Sequence, residues 1–379
     1  VKRALLVADG AADLPIADLK GRTPLEAADL RNLRRLAGTG QVGLADLYHA
    51  VPGRGADTAL WGFVGGGREH PGRAAFLLAA ARLEPDPGTS AFCLDLVTAA
   101  DGRIVDASGG LRDAEGAMLF EDLARACTGR GGLRLVHVRG HRGLLLAHGI
   151  ESAMTHSPEL LAGEPWRLHV PSGAPELETF IAEAAEFLAA HDVNRVRMDL
   201  GENPANLAWP YGPGRVPAPV APAAPGTMVS AAPWALGMAA VAGMKTLDAA
   251  EDRPQALARA AFEALAAADL VVVHTEAPAR ASHHGDVREK LEALAHWDRQ
   301  LVGPVADEIA RTGGVLLVAV TSTALAERRV NRDGPTPFLL HGRDVSAPVA
   351  PRAFTEAAAG ESQLRASGAA ALLEHFHRS

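Results

Sequence analysis

Residues able to do chemistry gather in three places. The first is PGRGADTALWGF, Pro52 to Phe63, where glycines flank an acidic residue, Asp57, just before an apolar, helix-like start. A loop of this kind often presents a nucleophile, and here the position holds Ala56. Thr58, two residues on, offers a hydroxyl, but a threonine at a helix start is more often a cap or a packing residue. The second place is HHGD, where His283, His284 and Asp286 lie within four residues. Imidazole and carboxylate donors so close together suit zinc or a similar ion. Asp9 is a candidate to face them, with Glu276 and Asp57 as further donors. The same stretch also reads as a solvated loop with Asp286 capping the helix that follows. The third is a set of arginines, Arg54, Arg73, Arg139, Arg142, Arg197 and Arg215. Their forks match phosphate and carboxylate bidentately; surface ion pairing is the plainer reading of any one of them. His141 and His156 are possible helpers, and Asn203 and Asn206 read as fixing the backbone of their own loop.

The elements that must position these residues alternate. RALLVADGAA is an apolar run without alternation, as expected of a parallel strand covered on both faces, and it ends at Asp9. A helix is predicted over 23–40, with Thr23 as N-cap, Pro24 at the first helical position and a glycine stop at Gly38 to Gly40. QVGLADLYHA follows as a strand. From about Phe92 the pattern changes to hairpins, one around Asp101-Gly102 and one around Gly140. Helices are predicted near Asp113–Cys127 and over APELETFIAEAAEFLAAHD. The proline-rich GPGRVPAPVAPAAPGTM reads as a crossing between domains. After it come the strands TMVSA, LVVVHTEAP and GVLLVAVTS, separated by helices. The last helix, over 286–313, carries Leu291, Leu294, Trp297, Leu301, Val305 and Ile309 on one face. The expected fold is α/β: a mostly parallel sheet flanked by helices over 1–85 and 222–379, with a smaller α+β domain inserted over 86–221. Ligands of such sheets sit beyond the carboxyl ends of the strands, which here are Asp9, the loop at Ala56, the segment after Val273, and Thr321–Ser322.

The bulk properties exclude several functions. A net charge of −8 gives no electrostatic case for nucleic-acid binding. Cys93 and Cys127 lack metal-ligand spacing and give no disulfide framework, which fits a reducing cytoplasm. No run reaches the 18 apolar residues expected of a membrane span.

The pieces also resemble, in order, the archaeal-type cofactor-independent phosphoglycerate mutases, which use no 2,3-bisphosphoglycerate and form a branch of the alkaline phosphatase superfamily. DGAADLP and GRTPLEAA resemble the family's opening, and GADTALWGF followed by HPGR resembles its GSDTA nucleophile loop. FCLDLVT and DGRIVDASGG resemble its first inserted hairpin. VNRVRMDLGENPANLAWPYGPGRVP is the most specific match. HTEAPARASHHGD resembles HxEAPDEAGHEGD, and GPTPFLL resembles DPVPF. The resemblance implies two divalent metals (manganese, magnesium or zinc) and a serine that carries the phosphoryl group between two hydroxyls of phosphoglycerate. It also implies a cleft between the domains, lined by Asp57, Arg73, Arg142, Arg197 and Arg215.

Carried over residue by residue, the resemblance is selective. Asp9 and His283 match ligand positions and keep ligating side chains. The serine position is Ala56; a ligand aspartate falls at Ala279; an Asp-His pair falls at Thr321 and Ser322; a later histidine aligns near Asn331. The expectation is a catalytically altered or inactive homologue that binds a phosphorylated or carboxylated small molecule, with a protein partner also open. It would hold no metal, or one in a non-standard site at Asp9, His283, His284 and Asp286. The alternative is a repurposed metal-dependent phosphotransfer or isomerase enzyme.

Overall fold

The computed structural model describes residues 1–48, 57–107, 109–127, 132–150, 153–217, 225–346 and 353–379. Arg54 and Ala56 lie outside the described residues. The chain divides into two compact units: Val1–Ala50, Ala56–His70 and Pro219–Ser379 form one, and Val51–Gly55 with Pro71–Ala218 form the other.

The first unit is built on an eight-stranded sheet. Its order is Arg365–Ala366, Gln41–Ala45, Thr336–Gly342, Val315–Val320, Arg3–Ala8, Leu270–Thr275, Thr227–Ser230, Lys245–Asp248. Every pairing is parallel except the two made by Thr336–Gly342. The central strands are buried nearly throughout, which is why they read as unbroken apolar runs. One face packs Leu6, Val271, Val273, Leu316 and Val318 against helix residues such as Leu33, Leu257, Leu294, Trp297 and Ile309.

Two helices depart from the sequence pattern. The helix expected over 23–40 is split into Pro24–Ala27 and Arg31–Thr39. Thr23 and Glu26 close a capping box on the first piece. The second starts at Leu30, which has no side-chain cap. A distant residue does the capping: Asp298 accepts the Leu33 N–H at 2.7 Å and the Asn32 N–H at 2.9 Å. The long helix runs Val287–Trp297 and Gly303–Arg311, with a π turn at Asp298–Val302 between them. The wide turn ends two residues before Pro304, which has no N–H to continue the ladder. Leu294, Trp297, Leu301, Val305 and Ile309 are buried as expected, whereas Leu291 is only half-buried.

A buried cation ties the same helix to the rest of the unit. Lys290 Nζ donates to Ala324 O at 2.7 Å, to Asp13 Oδ2 at 2.9 Å and to Ala12 O at 3.2 Å. Asp13 also accepts from the Leu14 and Ala326 N–H groups.

The second unit is a five-stranded antiparallel sheet. Thr89–Ala100 lies at its centre, between Arg142–His148 and Leu207–Gly214, and Arg103–Asp106 and Leu133–Arg139 extend it. Asp101 and Gly102 take φ of 50° and 74°, the two positive values that a tight hairpin turn requires. Pro210 and Pro213 are tolerated in Leu207–Gly214 because that strand pairs on one side only. The boundary drawn from sequence at 86 is corrected to 71. The helix Arg73–Ala81 packs on Thr89–Ala100 and Leu207–Gly214, so it belongs with them. Gly72 makes that packing possible: at φ 90° a Cβ would lie 1.9 Å from Pro213 O.

Candidate functional site

In the first unit, four neighbouring parallel strands carry a polar side chain at or just beyond their carboxyl ends: Ser230, His274, Asp9 and Thr321. They form one hydrogen-bonded row. The Ser230 hydroxyl lies 3.0 Å from His274 Nδ1, His274 Nε2 lies 3.0 Å from Asp9 Oδ2, and the Thr321 hydroxyl donates to Asp9 Oδ1. Ser230 also accepts the Ala232 N–H at 3.0 Å. All four residues are buried. Burial opposes a charged imidazole, but the Asp9 charge, the hydrogen bond to it and the charges of Glu276 and Asp252 outweigh burial, and the His274 pKa is raised. The Trp234 ring meets His274 edge-on at 5.0 Å, and Trp234 Nε1 donates to Glu276 at 2.9 Å.

Apart from His274, the positions adjoining Asp9 offer no ligating imidazole or carboxylate among the described residues. Gly10 turns at φ 65° against Ala279, whose Cα lies 2.7 Å from where a Gly10 Cβ would stand. Ser322 is fully buried, and its hydroxyl has no partner among the described residues. His283 Nε2 lies 3.2 Å from the Asn331 carboxamide oxygen. His284 Nδ1 lies 3.5 Å from Glu289, and Asp286 caps the helix Val287–Trp297 by accepting the Glu289 N–H at 2.8 Å. The HHGD side chains therefore point to separate tasks. Among the described residues, no three His, Cys, Asp or Glu side chains form a group that holds a metal ion. Asp57, in the first turn of Asp57–Val64, is buried and lies 3.1 Å from His70 Nε2.

In the second unit, the arginines of the sequence pattern separate. Arg197 clamps its surroundings. Its Nε donates to Asn203 O, Nη1 to Glu115, and Nη2 to the carbonyls of Gly109 and Gly110; Glu202 lies 3.0 Å from Nη1. Asn206 likewise pairs its amide with both backbone groups of Ala99. Arg215 is exposed. Arg139 and Arg142 are opposed in a strand pair and half-buried.

Arg73 and Arg142 share surroundings that the sequence pattern did not single out. Both exert their charge on Asp95, which is buried in the central strand. Arg142 stands opposite Asp95 in the register, and Tyr211 donates its hydroxyl to Asp95 Oδ2 at 3.0 Å. The Arg73 guanidinium lies 5.9 Å from the centre of the Tyr211 ring and 3.7 Å from Glu159. Burial pushes the Asp95 pKa up to about 6, against the pull of Arg142, Arg73 and Tyr211. The available signal was an acid inside the otherwise apolar FCLDLVT.

The profile of 2,3-bisphosphoglycerate-independent phosphoglycerate mutase matches residues 37–194. A mutase of that description from Methanothrix thermoacetophila is 33% identical over 365 residues, covering 91% of this chain and 92% of its own. A second, from Methanothermobacter thermautotrophicus, is 30% identical, covering 92% and 90%. Among solved structures, a Pyrococcus horikoshii protein superposes with a TM-score of 0.71 at 23% identity, covering 100% of this chain and 96% of its own. The cofactor-independent phosphoglycerate mutase of Thermoplasma acidophilum gives 0.56 at 23% identity, covering 100% and 99%. These two show a shared fold.

Proposed function

The chain belongs to the 2,3-bisphosphoglycerate-independent phosphoglycerate mutase family, and from that premise we propose that it is a member without serine phosphotransfer that binds a phosphorylated or carboxylated small molecule. The observation that carries the reading is the state of Asp9. Its two carboxylate oxygens meet His274 and the Thr321 hydroxyl, and the adjoining positions offer the Ala279 methyl and the Ser322 hydroxyl. Two divalent ions need several charged or imidazole donors converging at about 2.0–2.2 Å. Hydroxyls, a methyl group and the Asn331 carboxamide do not make that set, so the residues present do not fit a dinuclear metal centre. No phosphoenzyme forms at Ala56, which has no nucleophilic atom.

What the residues do supply is anion recognition. Arg73 and Arg142 put two guanidinium groups beside a buried acid and a tyrosine, a setting in which a bidentate anion is held with directionality. The test has two arms. Purified protein supplied with manganese is assayed for conversion of 3-phosphoglycerate to 2-phosphoglycerate; no turnover above the protein-free rate is expected, and substantial turnover overturns the reading. Calorimetric titration with 3-phosphoglycerate is expected to give binding that Arg142→Ala weakens about tenfold or more. Metal bound stoichiometrically after purification, and lost in His283→Ala, would instead favour a repurposed metal enzyme.

A further inference from the structure

The sheet of the first unit has a second face, turned away from the core around Leu6 and Val273. Side chains alternate along strands, so Leu5 and Val272, which pair in register, point to that face. Both are buried, and they floor a cavity of about 280 Å³. The helices Asp57–Val64 and Ala369–Arg378 meet above it, where a Cβ at Gly62 would lie 2.8 Å from the Ala369 methyl. Past that contact the chain continues as Phe63 to Gly67 on one side and Ala370 to His377 on the other, and the cavity lies between them. Phe63, Val64 and Met244 complete an apolar lining. The mouth is at Gly66, Gly67, Glu374 and His377, all exposed. Gly66 and Gly67 take φ of 64° and 75°, so residues without side chains suit this edge and leave it open.

Size and lining define what fits. Protein interiors hold few voids larger than a water molecule, and an apolar cavity of about 150 Å³ takes up benzene. The larger space here has room for a ring with a short chain. Ala370, Leu373, Glu374 and His377 recur at helical spacing and form one wall, apolar at its inner end and polar at the mouth. The charges at the mouth do not balance. Glu374 is paired with Arg378. Arg3 pairs in register with Leu270, which lines the cavity, and its Nη2 donates to His377 O at 3.1 Å. Among the described residues no carboxylate pairs with Arg3, and its Nε has no hydrogen-bond partner. Burial and the Arg3 charge lower the His377 pKa, so the imidazole adds no charge of its own at neutral pH. Arg3 is left as an uncompensated cation beside an apolar chamber.

We propose that this cavity binds a small amphipathic carboxylate, with an aryl-alkyl body against Leu5, Val272 and Phe63 and the carboxylate at the mouth, where it balances Arg3. An apolar lining with a small number of placed polar groups is the usual make-up of a small-molecule site. A cationic head would meet like charge at Arg3, and a body without a head would leave that charge unanswered. The site is independent of the anion reading of Arg73 and Arg142, which lie in the other unit.

Calorimetric titration of the full chain compares 3-phenylpropionate with its uncharged amide, with 3-phenylpropylamine and with propionate. The carboxylate is expected to bind with a Kd on the order of 0.1–1 mM and the amide about tenfold more weakly. The amine and propionate should show no binding in the same range. Leu373→Trp fills the cavity from its wall and should abolish binding of 3-phenylpropionate; Ala370→Phe, at an exposed helix position, takes its place if the larger ring prevents folding. Arg3→Gln should lower the affinity for the carboxylate to that for the amide. Arg142→Ala should leave it within a factor of about two, which separates this cavity from the arginines of the second unit. No binding of 3-phenylpropionate by the unaltered protein overturns the proposal. So does binding that survives the cavity-filling variant, or that is lost in Arg142→Ala. Equal or tighter binding of the amide or the amine overturns the anionic head.

Discussion

The row Ser230–His274–Asp9–Thr321 and the group Arg73–Arg142–Asp95–Tyr211 are both buried polar clusters in sheets, and they are finished to different degrees. In the first, both oxygens of the acid have partners and the imidazole is held on both nitrogens. In the second, an acid oxygen is left over beside two cations. Satisfied networks rigidify a fold, whereas an unmet buried acceptor costs stability. The difference teaches that residues with the right chemistry at the expected strand ends do not suffice for a reactive site; what matters is which of their bonds are already made.

The comparison can be broken most severely where a network is complete. Lys290→Met leaves Asp13 charged and two carbonyls unmet, and is expected to lower unfolding free energy by about 3–5 kcal/mol in a urea titration; a loss under about 1 kcal/mol would mean that the network is not closed. Arg197→Ala tests the complete clamp of the second unit. It should cost about 3 kcal/mol while the affinity of the folded protein for 3-phosphoglycerate stays within a factor of about two, and a large affinity loss would return Arg197 to the ligand.

Asp95 offers a pH test of the unfinished group. Its folded pKa of about 6 stands above the ordinary 3.8, so the folded state holds a proton that the unfolded chain releases. That contribution is fully present below about pH 4, declines as pH rises to about 6, and changes little above. The expected fall is on the order of 2–3 kcal/mol, and Asp95→Asn should flatten the stability curve across that window. An unchanged slope in the variant would assign the effect to other groups. The smallest effect is expected from Thr321→Val, which removes one donor to Asp9 and should cost about 1–2 kcal/mol, read from the shift in urea midpoint.

The sheet of the first unit was legible because its strands are covered on both faces and so lack alternation, and the hairpin at Asp101-Gly102 because only certain residues accept its turn. The split at Ala28–Leu30 was not legible. Nothing local breaks that helix; its second half is capped by Asp298, far along the chain. His274 and Ser230 escaped notice because their meeting with Asp9 depends on strand order, which no short stretch encodes. Arg73, Arg142 and Arg197 look alike as letters. The clamp at Arg197 forms because the loops at Gly109 and Asn203, distant in sequence, bring their carbonyls to its guanidinium. The HHGD motif failed to become one cluster for a similar reason: Asp286 is drawn to the N–H groups of its own helix before it can meet the imidazoles.

The π turn at Asp298–Val302 acts as a vernier between two helical rulers. One extra residue rotates everything downstream by about 100° relative to an uninterrupted helix. Leu294 and Trp297 on one ruler and Val305 and Ile309 on the other face a common interior across it, at spacings that an unbroken helix would also put on one side. Deleting a single residue between Asp298 and Val302 would close the wide turn into an ordinary one while both halves of the apolar face stay turned inward. The wide turn is thus where this helix can gain or lose one residue without turning its interior face to water.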